Sequence, residues 1–371
     1  MSLVEAPRSA PTWARARDGE ALIARQDWPA SYRRGSHCFS TMISNIFAGT
    51  GFDIGEELAY VIGGGLGLLF YRDGGTFYIN SRMHDLEHFF ARRTGSRVEF
   101  VSHPDADAML ESASTWAAAG LLPYLYCEAR ELSVFSDVLP WEAVHPFGEH
   151  ALPVRSVTGA GDVVGNDYLW AHPVTLPYRD VVRATSMPSD GILDMACPAR
   201  TFAVGRLIPP ARAPELGSVL AESIAENAEL FLNPTNNTQG VRALKTLERD
   251  IASMPELVGA DRVRIELISM ATMLEKIGTG GGAGRHLYAR GLRASAAVLA
   301  SADLRGLADA FSGLGGRWRQ LARRMQRHAA ATEPRAEWPS LVQAVREIRR
   351  DEVAAVSRLQ DVSEALVRSA A

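Results

Sequence analysis

The chain is organised around the stretch Gly35-Ser36-His37-Cys38-Phe39-Ser40-Thr41. Apolar residues follow Cys38 at helical spacing, so the sequence predicts a helix from Cys38 to about Phe47, with Ser36 as its N-cap. A thiol at a helix N-terminus faces unpaired N–H groups and the positive end of the helix dipole. Both favour the thiolate, which is the nucleophilic form of cysteine. Cys38 is therefore a candidate nucleophile, and the alternative is a small buried hydrophobic residue.

The composition excludes several classes of protein. The chain has 371 residues, of which 47% are hydrophobic, and this length predicts about two domains. Its net charge of −4 argues against a nucleic-acid partner. Three widely spaced cysteines form neither a disulfide framework nor a CxxC metal pair. The sequence shows no apolar signal segment and no run of membrane-spanning length, so we expect a cytoplasmic protein without a membrane partner.

The order of predicted elements indicates an α+β fold followed by a helical domain. Helices dominate the early part of the first domain and strands the later part, as expected for a helix packed against an antiparallel sheet. Glycines at 63–67 lack the Lys-Ser/Thr pair of a nucleotide-binding loop and are predicted to allow close backbone packing. The predicted segments are an N-terminal arm at 1–30, a catalytic domain at 31–186, a linker at 187–213 and a helical domain at 214–371.

Several short motifs, in this order and spacing, resemble the N-terminal domain of the BtrH-type acyltransferases of butirosin biosynthesis. They are Ser36–Thr41, Gly55-Glu56-Glu57, Gly63–Gly67 before Leu68-Leu69-Phe70-Tyr71, and Ser81-Arg82. A later run, Gly278–Arg290, resembles a helical domain of unknown function that often follows it.

The resemblance implies a papain-like cysteine fold and a role in natural-product biosynthesis. It implies transfer of an acyl group from the phosphopantetheine arm of an acyl carrier protein, through a cysteine acyl-enzyme, to a small-molecule amine. The product would be an amide. No bound cofactor and no metal are expected, and a lysine-linked cofactor is disfavoured because Lys245 and Lys276 are the only lysines.

A cysteine nucleophile needs a base and a group that orients the base. His150 is the candidate base, because it begins a predicted strand and matches the family's histidine followed by small apolar residues; His145 is the reserve. The family usually orients the histidine with an Asp-Pro, where this chain has Ala171-His172-Pro173. Asp167 begins the short strand predicted at 167–171 and His172 follows it, so both are candidates for the orienting residue.

Three further residues are candidates for substrate binding. Tyr32 stands near the position from which papain-like enzymes donate a glutamine N–H to the oxyanion, and the backbone N–H of Cys38 is the other candidate donor. Arg82 matches an arginine of the family and could pair with a phosphate or carboxylate. Arg285 follows the glycines of 278–284 and could hold a phosphate at a helix N-terminus. Arginines 319, 323 and 327 share a helix face that could dock an acidic carrier protein.

Three alternatives to the acyltransferase remain open from the sequence. A thioesterase or cyclase would use the same cysteine with water or an internal nucleophile as acceptor. A zinc hydrolase would use His84-Asp85-Leu86-Glu87-His88, which fits an H-x-x-E-H pattern if both histidines share a helix face. A non-catalytic binding protein on the same scaffold is the third alternative, which the histidine at position 172 keeps open.

Overall fold

The computed structural model describes residues 32–48, 53–136, 150–186, 202–331 and 338–370. The predicted N-terminal arm and His145 lie outside these ranges. The first half of the chain contains, in order, α1 (Cys38–Phe47), α2 (Glu56–Ile62), β1 (Leu69–Asp73), β2 (Thr76–Asn80), α3 (Leu86–Thr94), β3 (Arg97–Ser102), α4 (Ala106–Ala118), β4 (Pro123–Cys127), β5 (His150–Val157), β6 (Val163–Gly165), β7 (Val174–Leu176), α5 (Tyr178–Ser186) and β8 (Ala203–Ile208). The second half contains α6 (Leu216–Leu232), α7 (Gly240–Ala252), α8 (Met254–Val258), α9 (Ala260–Glu275), α10 (Arg285–Val298), α11 (Ala302–Ala330) and α12 (Trp338–Ala370). The predicted α+β class is confirmed.

The chain divides into two compact units. Among the described residues, the sheet unit contains 32–48, 53–59, 87–136, 150–186 and 202–214, and the helical unit contains 60–86, 215–331 and 338–370. These units differ from the predicted segments in two places. Residues 60–86 belong to the helical unit, although we predicted them in the catalytic domain. Residues 203–208, predicted as linker, form β8 of the sheet unit.

The sheet unit is built on six antiparallel strands in the order β3-β8-β4-β5-β6-β7. β8 inserts between β3 and β4, so it pairs with strands about 80 to 110 residues earlier in the chain. All ten residues of α1 are buried, in agreement with the predicted apolar face. The strand predicted at 167–171 is wrong. Asp167 instead forms a turn, in which its Oδ1 accepts from the Leu169 N–H and its carbonyl oxygen accepts from the Trp170 N–H.

The helical unit combines the hairpin of β1 and β2 with helices α6 to α12. The two strands pair antiparallel across the turn at Gly74-Gly75, as the glycine-rich turn sequence favours. A Cβ atom added at Gly63, Gly65 or Gly67 would clash with Leu86, Tyr60 or Met83, so these glycines do allow close packing. None of the described helices combines the length and the apolar character that crossing a membrane requires.

Candidate active site

The nucleophile candidate occupies the first position of α1. His37, and not the predicted Ser36, caps this helix: its backbone is extended, and its Nδ1 accepts from the Ser40 N–H at 3.3 Å. Cys38 is therefore residue N1, where the backbone N–H has no acceptor within the helix. The residue is 8% exposed, and buried Phe39 and Met42 anchor the helix below it. Local packing thus holds the thiol at the positive end of the helix dipole.

The base candidate begins β5, as the sequence predicts. His150 pairs with Cys127 of β4 in the sheet, which fixes its backbone, and its side chain is buried. The hairpin of β5 and β6 then returns the chain alongside itself. Asp167 follows β6 by two residues, so the hairpin carries its carboxylate back to the start of β5. His150 Nε2 lies 2.5 Å from Asp167 Oδ2.

The pKa of His150 depends on both Asp167 and Cys38. Burial by itself lowers the pKa of His150, but the charge and hydrogen bond of Asp167 and a hydrogen bond to Cys38 raise it to about 10. Because Asp167 engages Nε2, the other ring nitrogen, Nδ1, is left for the thiol. The imidazole is therefore positively charged at neutral pH, between a carboxylate and a sulfur. This arrangement favours a thiolate–imidazolium pair.

Asp167, and not His172, lies against the imidazole. His172 is exposed, whereas Asp167 is 1% exposed and is held by both His150 and the Leu169 N–H. The prediction that His172 orients the base is therefore wrong. The physical reason is the turn at Asp167, which directs the following residues away from β5 and toward solvent.

Replacing Asp167 by asparagine should lower the pKa of His150 markedly from its value of about 10. The amide removes the charge that opposes the effect of burial. NMR titration of the imidazole measures this value, and His172→Ala is the control that should leave it unchanged. Because the pKa of His150 is higher in the folded state, its protonation stabilises the fold. This stabilisation is fully present below pH 6.5 and is lost as the pH rises through about 10. That alkaline loss should disappear in Asp167→Asn, and an unchanged His150 pKa would contradict the assignment.

Aromatic side chains bury the histidine. The Phe135 ring lies edge-on to His150 with ring centroids 5.1 Å apart, and Trp170 packs on Phe135 at 5.3 Å. The ring centroids of Tyr168 and His150 are 5.9 Å apart, and the two rings are tilted relative to each other. These contacts come from a loop, a turn and a short helical segment, so no periodic pattern in the sequence indicated them. They exclude water from the pair and strengthen its electrostatic interactions.

Tyr32 lies close to the same charges. Burial raises the pKa of the Tyr32 hydroxyl, and the charges of Asp167, Cys38 and Glu56 raise it further. Its hydroxyl is thus neutral at physiological pH and can act as a donor.

Arg82 is 1% exposed and belongs to the helical unit, so its predicted contact with substrate stays a prediction.

The prediction that Arg285 binds a phosphate is wrong. Its side chain is fully buried, and its guanidinium makes two hydrogen bonds to the carboxylate of Glu352, at 2.7 and 3.0 Å. Its remaining nitrogen donates to the carbonyl oxygen of Ala283.

On the arginine face of α11, Arg319 pairs with Glu275, while Arg323 and Arg327 are exposed.

The H-x-x-E-H motif does not adopt the predicted arrangement. α3 begins at Leu86, so His84 precedes the helix and does not share one of its faces with His88. The carboxylate of Glu87 accepts a hydrogen bond from the Tyr126 hydroxyl. Among the described residues, the ligand atoms that lie within 4.8 Å of one another belong to Asp85, Glu87 and His88. This set lacks one of the two histidines that the motif requires.

One family model matches the chain. It is described as a domain of unknown function (DUF4872) and matches residues 195–359, somewhat less than half of the sequence. The matched range includes the glycine-rich run Gly278–Arg290. A search of the curated proteins finds no match. The side chains that can indicate a function are therefore Cys38, His150 and Asp167.

Proposed function

We propose that this protein is a cysteine-dependent acyltransferase with a papain-like arrangement of helix and sheet. The observations that support it are the position of the Cys38 thiol at the start of α1, the effect of Cys38 on the pKa of His150, and the bond between that histidine and the Asp167 carboxylate. A thiol, an imidazole and an orienting group on three separate elements are what covalent acyl transfer requires. The carboxylate of Asp167 supports a catalytic role over a non-catalytic scaffold, because it gives His150 an acidic partner in place of the histidine at position 172.

The first half-reaction loads the enzyme. The thiolate of Cys38 attacks the carbonyl carbon of a thioester, and a bond forms between Sγ and that carbon. The bond from this carbon to the donor sulfur then breaks, and the departing sulfur takes the proton from the His150 imidazolium. The backbone N–H of Cys38 and the Tyr32 hydroxyl are the candidate donors to the oxyanion.

The second half-reaction uses the same histidine as a base. In the acyl-enzyme the imidazole of His150 is neutral, because its proton left with the donor thiol in the first half-reaction. The nitrogen of an amine attacks the acyl carbon, His150 takes its proton, and the Sγ–carbon bond breaks. An amide leaves, and the thiolate–imidazolium pair is restored.

The identities of donor and acceptor rest on the resemblance of the motifs. A thioester on the phosphopantetheine arm of an acyl carrier protein suits a thiol nucleophile, because thiol–thioester exchange trades one carbon–sulfur bond for another. Hydrolysis or cyclisation would pass through the same acyl-enzyme and differ only in the acceptor. The reaction of that intermediate therefore distinguishes the three activities.

Intact-mass analysis with a series of acyl-pantetheine thioesters tests the proposal. We expect the mass of one acyl group per chain, mapped to the peptide that contains Cys38. Added amines should discharge it as amides faster than water does, whereas equal rates would indicate a thioesterase. Failure of every thioester to modify Cys38 would overturn the proposal.

A further inference from the structure

One carboxylate organises the turn that precedes Cys38. Glu56, at the start of α2, accepts hydrogen bonds through its Oε1 from the backbone N–H groups of Ser36 at 2.7 Å and His37 at 2.8 Å. The same oxygen accepts from the Thr41 hydroxyl at 3.0 Å. In the sequence, Glu56 stands out only as part of the Gly55-Glu56-Glu57 motif, and no local pattern indicates that it faces α1.

The turn has no space for a side chain where the carboxylate enters. A Cβ atom at Gly35 would lie 1.9 Å from Thr41 Oγ1 and 2.8 Å from Glu56 Oε1. The Gly35 N–H also donates to the carbonyl oxygen of Tyr168 at 3.0 Å. Because Tyr168 follows Asp167, this bond connects the nucleophile turn to the turn that holds His150. The nucleophile turn is thus held on one side by Glu56 and on the other by the Asp167 turn.

These contacts determine which backbone N–H groups remain for a substrate. Glu56 occupies the N–H groups of Ser36 and His37, and the His37 side chain engages the N–H of Ser40. Cys38 lies between them, and its N–H has no acceptor within α1. The turn therefore presents the N–H of Cys38 as the donor nearest to the carbon that its own sulfur would attack.

We propose that Glu56 is a positioning residue that aims the Cys38 N–H at the oxyanion of the tetrahedral intermediate. The inference rests on the proposed function, since it assumes acyl transfer at Cys38. Glu56 does not touch the substrate; it fixes the two peptide groups before the nucleophile. Its loss should therefore affect reactions that develop an oxyanion much more than reactions of the same sulfur that do not.

Two reagents separate these effects on one thiol. With p-nitrophenyl acetate, Sγ attacks the carbonyl carbon, an oxyanion develops, and nitrophenolate leaves. With iodoacetamide, Sγ displaces iodide from a saturated carbon without an oxyanion. In Glu56→Ala we expect acylation of Cys38 to slow by at least about tenfold and alkylation by less than about threefold. Glu56→Gln keeps an acceptor oxygen and should restore acylation to within about threefold of the wild-type rate.

Glu57→Ala, which changes the next acid on α2, is the matched control and should leave both rates unchanged. The inference is overturned if Glu56→Ala acylates at the wild-type rate, or if both rates fall by the same factor, which would show a general structural role. Wild-type Cys38 could react with nitrophenyl acetate but with no pantetheine thioester. That result would overturn the proposed function, and the rates of Glu56→Ala would still decide whether Glu56 positions the Cys38 N–H. If neither nitrophenyl acetate nor any pantetheine thioester acylates wild-type Cys38, both proposals are overturned.

Discussion

Cys38→Ala is expected to abolish the acyl-enzyme and to reduce acyl transfer by at least about a thousandfold. Cys38 combines a position at the start of a helix with a hydrogen bond to a protonated imidazole. Alanine removes the sulfur but keeps the buried volume small, so the helix should remain folded. Intact-mass analysis after incubation with an acyl-pantetheine thioester measures the loss, and near-ultraviolet circular dichroism verifies the fold.

Cys127→Ser is the control for this experiment. Cys127 is also buried in the sheet unit, and its thiol donates to the His150 carbonyl oxygen at 3.4 Å, a bond that a serine hydroxyl can replace. Burial, followed by the nearby charges of Asp167, Glu128 and Cys38, raises the pKa of the Cys127 thiol, so it stays protonated at neutral pH. The control should retain one acyl group per chain. An acyl group that persists in Cys38→Ala would contradict the assignment of the nucleophile.

Glu352→Ala is expected to destabilise the protein by about 3–5 kcal/mol. The Arg285–Glu352 pair is fully buried, and the Trp318 indole N–H also donates to Glu352, at 2.7 Å. Removal of the carboxylate leaves a buried guanidinium with an uncompensated charge and a buried indole N–H with no acceptor at that position. Chemical denaturation monitored by far-ultraviolet circular dichroism measures the loss.

Asp309→Ala provides the matched comparison, since it breaks the exposed pair of Arg293 and Asp309. That pair has a similar distance, 2.8 Å, but its side chains are 49% and 74% exposed. Solvent screens such pairs, and we expect a change of no more than about 1 kcal/mol. Equal losses of unfolding free energy in Glu352→Ala and Asp309→Ala would contradict the prediction that breaking the buried pair costs more stability than breaking the exposed one.

The elements with strong local patterns were predictable. Apolar residues recur at helical spacing from Trp338 to Leu366, which favours one long helix, and the structure has α12 at Trp338–Ala370. Similarly, α1 begins and ends at the predicted residues because its apolar face and the preceding turn are both local features. β8 was missed, because it lies in a proline-rich stretch and pairs with β3 and β4 far away in sequence. Strand pairing over such distances leaves little trace in the strand itself.

The sequence by itself determined that a cysteine stands at the start of an apolar helix and that a histidine opens a distant strand, because both depend on residues within one or two turns. Only the tertiary structure decided that Asp167 and not His172 meets that histidine, and that Glu56 holds the turn before Cys38. Both choices depend on how a hairpin and a second helix return to α1. Such returns are set by packing between segments that are separated in the chain, which residue spacing does not encode.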